Sequence, residues 1–464
     1  MGSTTVSEGI AYIKATFNNT HIVMTDKQGN VLCGKSAGSC GYKGARKGTP
    51  YAAQLVAEAV ANDVKEKFKM ERLSRIEFSS ILCLMLVFVI LTPQVSTAAS
   101  KSDPIKVGVL LPLTGYAVEE GKQYGRAIQL AFDEIGSKIG GRKVDLVIED
   151  DGHDATMVVQ KTKKLFYSDK VKIIIGPESV PGAIAIHPFI RDNKILTILL
   201  MGTTDKLNSG GNVVKNWFRV SFCNQVSNVA GYAAYKKGYR KAIAAAPDSV
   251  SGNEEAGGFR KVFEKMGGKV IQDVRVPMGS MDMVPYLMKI DTNADVIYAF
   301  FFGEDAPRFL KQYVEYGLNK RIPLLVHGAA LDLPNLKAPG EAVLGAESIY
   351  FYCENLNIPE MTKFRKAFLD KYKVDVSYGA EVGYMAAKVL ILGLQAVNGE
   401  DEDIDKLSEA IEKLDFKSTR GRFRFGPEHN PVQDYYLRKV EKVNGRLENV
   451  VKDVYPNINQ NWMP

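Results

Sequence analysis

From Ile105 onward, short apolar runs alternate with longer amphipathic stretches, and this alternation restricts the fold more than any other feature of the chain. The apolar runs are IKVGVLL, KVDLVIED, VKIIIGP, KILTILL, KAIAAA, KVIQDVRV, DVIYAFF and PLLVHG. Between them lie GRAIQLAFDEI, MVVQKTKKLFYS, GGFRKVFEKMG and APRFLKQYVEYG, in which apolar positions recur at helical spacing. Parallel strands cannot be joined by a tight turn, so each strand followed by a helix predicts a crossover on the face of a parallel sheet, an α/β fold. The roughly 360 residues after Ile105 exceed one such sheet, so two doubly wound lobes are expected.

The same region lacks the motifs of common catalytic chemistry. Beyond Ile105 no strand runs into a G-x-G-x-x-G turn, and neither a G-x-x-x-x-G-K-[ST] loop nor a G-x-S-x-G elbow is present. The acids Glu149-Asp150-Asp151 close a strand, where adjacent Asp residues cap the following turn more often than they transfer protons. His153 reads as a turn residue too. No Cys/His spacing resembles a zinc site, and the five histidines are isolated in sequence. Neither an enzyme, a metal nor a cofactor is expected. Cys223 and Cys353 could form one disulfide, and nothing in the sequence requires it.

Residues 70–99 have the layout of a secretory signal: Arg72 and Arg75, an uncharged apolar segment from Ile81 to Leu91, then Ser96-Thr97-Ala98-Ala99. An apolar run of 11 residues is short of the ~20 that cross a bilayer. The reading is therefore a cleaved signal, with an uncleaved signal anchor as the alternative. Such signals begin chains, yet about 70 residues precede this one.

That leading segment, residues 1–69, has a different character. Through Met70 it carries nine Lys or Arg against five Asp or Glu, so much of the formal charge of +7 sits there. Alternating residues from Ile10 to Lys35 predict antiparallel strands with a turn at Asp26–Asn30, and Thr49-Pro50 opens a helix. Between them Lys43, Arg46 and Lys47 stand on a glycine-rich loop that could follow a phosphate chain. GIAYIKATFNNT, TDKQGN and SAGSCGYKGARKGTPYAAQLVAEAV closely resemble the bacterial small-subunit ribosomal protein of the eleventh family. The resemblance implies a small α+β fragment whose loop at Lys43 to Lys47 contacts ribosomal RNA. That family continues into a second half with a basic tail, which this chain replaces with the signal-like stretch.

The later region has a resemblance of its own, carried by KVGVLLPLTG from Lys106, VIEDDGHD from Val147, IIIGPESVPGAIA from Ile173, the Met201-Gly202-Thr203-Thr204 turn and GYMAAKVLILGL from Gly383. In order and spacing these resemble the type I solute-binding proteins of branched-chain amino acid and amide ABC transporters. The resemblance implies one lobe from 104–222 and 353–425, a second from 223–352 and 426–451, and a tail at 452–464. Crossovers would lie near Phe222, Tyr352 and Phe425, with ligand between the lobes and a transporter permease as partner.

A ligand carboxylate needs hydroxyls and helix N-termini, and Ser179, Thr203 and Thr204 are the candidates. Phe302 offers an aromatic wall, while Tyr116 and Glu120 stand on the first loop. Where the branched-chain binders place an acid for the ammonium, this chain reads His327-Gly328-Ala329-Ala330; where they place a tyrosine, it has Ser251. A small carboxylate, amide or aromatic acid therefore fits as well as leucine. The leading expectation is an extracytoplasmic receptor. The alternatives are a membrane-anchored fusion and an RNA-binding protein acting through residues 1–69.

Overall fold

The computed structural model describes residues 9–16, 19–26, 28–41, 50–68, 103–209 and 213–464. Lys43, Arg46, Lys47 and the whole signal-like stretch lie outside the described residues. The chain divides into two compact units, Met1–Ala98 and Ala99–Pro464.

In the smaller unit β1 (Gly9–Thr16), β2 (Asn19–Asp26) and β3 (Val31–Ser36) form an antiparallel sheet in that order. The turn after β2 is held by Asp26, whose Oδ1 accepts from Gln28 N at 2.9 Å and Asn30 N at 2.8 Å. The helix Pro50–Phe68 buries Val56, Val60 and Val64, four residues apart on one stripe, against Ile22, Cys33 and Ala37.

The larger unit holds two sheets. In the first, β4 (Ile105–Leu111), β6 (Arg142–Asp150), β7 (Ile173–Ile175), β8 (Leu196–Leu199) and β9 (Trp217–Arg219) are parallel, with the short β5 (Lys138–Ile139) antiparallel at the edge. The order is β5-β6-β4-β7-β8-β9, in which the chain turns from one side of β4 to the other. The helix Tyr378–Ala396 returns to this half and packs on Val118–Asp133. Gly383 makes that approach possible, since a Cβ there would lie 2.6 Å from Tyr124 O.

In the second sheet β10 (Lys241–Pro247), β11 (Lys269–Val276), β12 (Val296–Ala299), β13 (Leu324–His327) and β14 (Glu347–Tyr350) are parallel, in the order β11-β10-β12-β13-β14. The eight apolar runs of the sequence are the strands β4, β6, β7, β8 and β10 to β13. The fold is thus α/β with parallel sheets, as the alternation requires.

Two features differ from the sequence expectation. β17 (Pro431–Val443) pairs antiparallel with β14 and runs through an Asn444-Gly445 turn into β18 (Arg446–Ile458), so residues 452–458 are strand rather than tail. β15 (Asp415–Ser418) and β16 (Gly421–Phe425) join the near end of β17, so hydrogen bonding runs across the boundary drawn at Phe425. Cys223 and Cys353 are both free thiols, and the Cys353 Sγ donates to Asn449 O at 3.3 Å.

Candidate functional site

The carboxyl ends of β6, β7, β8, β10, β12 and β13 lead into loops around one cavity of about 140 Å³. Ligands gather at such strand ends because the connecting loops splay apart there. Two helices begin at its wall. Ser179 caps Val180–Asp192 by accepting from Gly182 N at 3.2 Å, and Ser249 caps Val250–Lys265 by accepting from Gly252 N at 3.1 Å. One follows β7 and the other β10, so each sheet contributes a helix N-terminus, the end that favours negative charge.

The rest of the wall is largely aromatic. Phe302 stacks near Phe300 with centroids 5.5 Å apart, Phe300 meets the His327 ring edge-on at 4.8 Å, and Phe222 stands 5.0 Å from His327. Met201 and Met278 add polarizable contact. An apolar cavity of about 150 Å³ accommodates benzene, so this one is sized for a single ring. Among the described residues no Lys or Arg lines it.

Its titratable groups are held neutral. Burial, reinforced by Glu120 and Asp151, keeps the Glu178 carboxyl well above the usual carboxylate range, and its Oε2 has no hydrogen-bond partner among the described residues. Burial and the nearby Arg438 hold His327 well below the ordinary imidazole value. Arg438 also donates to Gly328 O at 2.8 Å and to Tyr352 O at 2.9 Å, which fixes the loop after β13 from beneath. Among the described residues no group of His, Cys, Asp or Glu side chains converges as a metal site would need.

Of the residues singled out from the sequence, Ser179, Thr203 and Phe302 line this cavity. Tyr116 and Glu120 line an adjoining space of about 230 Å³, with Tyr378 in the walls of both. The Tyr116 hydroxyl donates to Asp305 Oδ2 at 2.9 Å with Phe302 O at 3.0 Å, linking the loop after β4 to the loop after β12. Thr204 does not face the cavity: its Oγ1 donates to Glu254 Oε1 at 2.8 Å, and it is fully buried. Asp150 caps the turn as expected, accepting from Leu113 N, Gly152 N and the Thr114 hydroxyl. His153 is a turn residue with φ of 58° and a wall residue as well, its ring 5.9 Å from Tyr116. Sequence reasoning did not assign Glu178, Phe300, Ser249 or Tyr378 to the site. Glu178 and Ser249 do stand at strand ends beside helix starts, a signal that could have found them.

Two doubly wound sheets with a ring-sized cavity at their strand ends define a bilobal receptor for a small solute. The chain belongs to the periplasmic binding protein family, whose profile matches residues 104–446. Leu/Ile/Val-binding protein homolog 6 of Brucella melitensis is 27% identical over 361 residues, 76% of this chain and 91% of the relative. An ABC transporter substrate-binding protein from Sphaerobacter thermophilus is 34% identical with a TM-score of 0.74, over 77% of this chain and 99% of that one. A Rhodopseudomonas palustris solute-binding protein solved with benzoate is 31% identical with a TM-score of 0.70, over 75% of this chain and 96% of that one. The family binds solutes, and the chain is not an enzyme.

Residues 9–76 match the ribosomal protein S11 family. The segment is 58% identical over 69 residues to small ribosomal subunit protein uS11 of Coxiella burnetii, 15% of this chain and 56% of that protein. The chain spans about half the length of that relative and carries two unrelated parts.

Proposed function

We propose that the chain beyond residue 100 is an extracytoplasmic receptor that closes on a small aromatic carboxylate and hands it to an ABC importer. The observation that carries this reading is an aromatic wall combined with two helix N-termini in one ring-sized cavity. Helix N-termini and hydroxyls suit an anion, and stacked rings suit a flat apolar body. Ser179 and Thr203 would hold the carboxylate, Phe302 would pack on the ring, and Tyr116 would latch the loops together. The benzoate of the R. palustris relative supports the same ligand class.

A branched-chain amino acid, as the name of the Brucella relative suggests, needs an ionised partner for its ammonium. Glu178 is held neutral by burial, and Glu120 faces the adjoining space, which disfavours that ligand. In this reading 104–222 with 353–425, and 223–352 with 426–451, are lobes that hinge near Phe222, Tyr352 and Phe425. Isothermal titration of the full chain with benzoate and with leucine tests it: benzoate should bind and leucine should not, and the reverse result overturns it. Small-angle scattering should show compaction with benzoate.

Residues 1–69 are read as separate from the working receptor, with 70–99 as its export signal. The uS11 likeness favours a second possibility, a real fusion that binds RNA through Lys43, Arg46 and Lys47. Native mass spectrometry of protein taken from its source envelope distinguishes the two. A mass starting near Ser100 supports the receptor, and one that includes residues 1–69 supports the fusion.

A further inference from the structure

The His327 ring closes β13 with no solvent exposure and lines the cavity. Ala329 N donates to its Nδ1 at 3.3 Å. A ring nitrogen that accepts a hydrogen bond carries no proton, and a neutral imidazole has one, so the proton is on Nε2. Burial and Arg438 both favour that neutral form. The Nε2–H is buried and has no hydrogen-bond partner among the described residues. The His327 ring has the rings of Phe222, Phe300 and Tyr350 about it, at centroid-to-centroid distances of 5.0, 4.8 and 5.2 Å.

A donor stripped of water and left unmet is costly, and sites that keep one reject ligands unable to satisfy it. His153, the other histidine of the wall, is only half-buried and neither of its ring nitrogens is a buried atom without a partner. Ser179 and Thr203 follow strands of the first sheet, whereas His327 ends a strand of the second. A ligand whose carboxylate meets the first pair would thus present its ring to the other wall.

We propose that His327 is a specificity-determining residue whose Nε2–H donates to an oxygen on the ring of the bound aromatic carboxylate, so that the receptor selects hydroxylated over unsubstituted benzoate. This rests on the aromatic-carboxylate reading given above. The hydroxyl accepts from His327 and keeps its own proton, so binding requires no change of ionisation at either group.

The test is isothermal titration of the full chain with benzoate, 3-hydroxybenzoate, 4-hydroxybenzoate, 4-methylbenzoate and leucine, for the wild type, His327→Phe and His327→Gln. At least one hydroxybenzoate should bind about tenfold or more tighter than benzoate and 4-methylbenzoate. His327→Phe should abolish that preference, read as the ratio of hydroxybenzoate to benzoate affinity within the variant, and His327→Gln, which retains an N–H donor, should keep part of it. If the wild type binds benzoate as tightly as both hydroxybenzoates, or if His327→Phe keeps the preference, the proposal falls and the aromatic reading stands. If leucine binds and no benzoate does, the aromatic reading falls and takes this one with it. Where His327→Phe does not fold, 15N spectra of histidine-labelled wild type decide: the Nε2–H signal should move with the preferred hydroxybenzoate and stay with benzoate, and an unmoved signal in both overturns the assignment.

Discussion

At the scale of single residues, burial raises the pKa of carboxyl groups at the strand ends of the first sheet. Asp151 is one case, fully buried, with Oδ1 accepting from His153 N at 2.9 Å and Oδ2 without a partner among the described residues. Burial pushes its carboxyl up to about 6, Asp150 adds to the rise, and the His153 N–H opposes it. Because the folded value is raised, the neutral acid stabilises the fold fully below the ordinary 3.8, and that contribution is lost as pH rises through about 6. Asp151→Asn keeps the acceptor and never ionises. Relative to wild type it should therefore gain up to about 3 kcal/mol between pH 3.5 and pH 7.5, measured by urea unfolding at both values. An unchanged difference between the two proteins across that range would show that Asp151 stays ionised at no cost.

At the scale of elements, the eight strands legible in the sequence were legible because parallel strands buried on both faces leave uninterrupted apolar runs. The β17–β18 hairpin was missed although Asn444-Gly445, with φ of 49° and 80°, is the dipeptide that two-residue hairpin turns favour. Its strands carry many charges, so no apolar run announces them. Ser179 and Thr203 could be found because they directly follow predicted strands. Tyr378 and Phe222 reach the cavity from distant segments, and no local spacing connects them to it. The loop after β12 turns at Gly303, with φ of 54°, directly under the Tyr116 ring, where an added Cβ would lie 2.7 Å from Cε1. Gly303→Ala should therefore oppose the contact between the two loops, weakening benzoate binding about tenfold or more at little cost to the separate lobes. Titration and scattering of the variant check this; unchanged affinity would mean that Tyr116 is not part of closure.

At the scale of the whole larger unit, one side chain joins segments far apart in sequence. Arg420 pairs with Glu381 through Nε and Nη2 in a fully buried ion pair, donates from Nη1 to Val220 O at 2.7 Å and Gln433 Oε1 at 3.0 Å, and lies 4.3 Å from the Phe351 ring. Val220 and Phe351 stand beside two of the proposed crossovers, so in the proposed lobe arrangement this guanidinium would belong to the pivot. Arg420→Met strands a buried carboxylate and should cost about 3–5 kcal/mol in urea unfolding, most of it recovered by adding Glu381→Leu. A loss below about 1 kcal/mol would mean that Glu381 finds another partner.

The two helices capped by Ser179 and Ser249 begin at the wall of one cavity, one from each sheet. Shut on nothing, the cleft would bring two positive ends together in a space from which water has been squeezed. Shut on an anion, the same ends share its charge. On the proposed reading the solute would serve as the counterion of closure, and a transporter that engaged only the shut form would be spared futile strokes on an empty carrier.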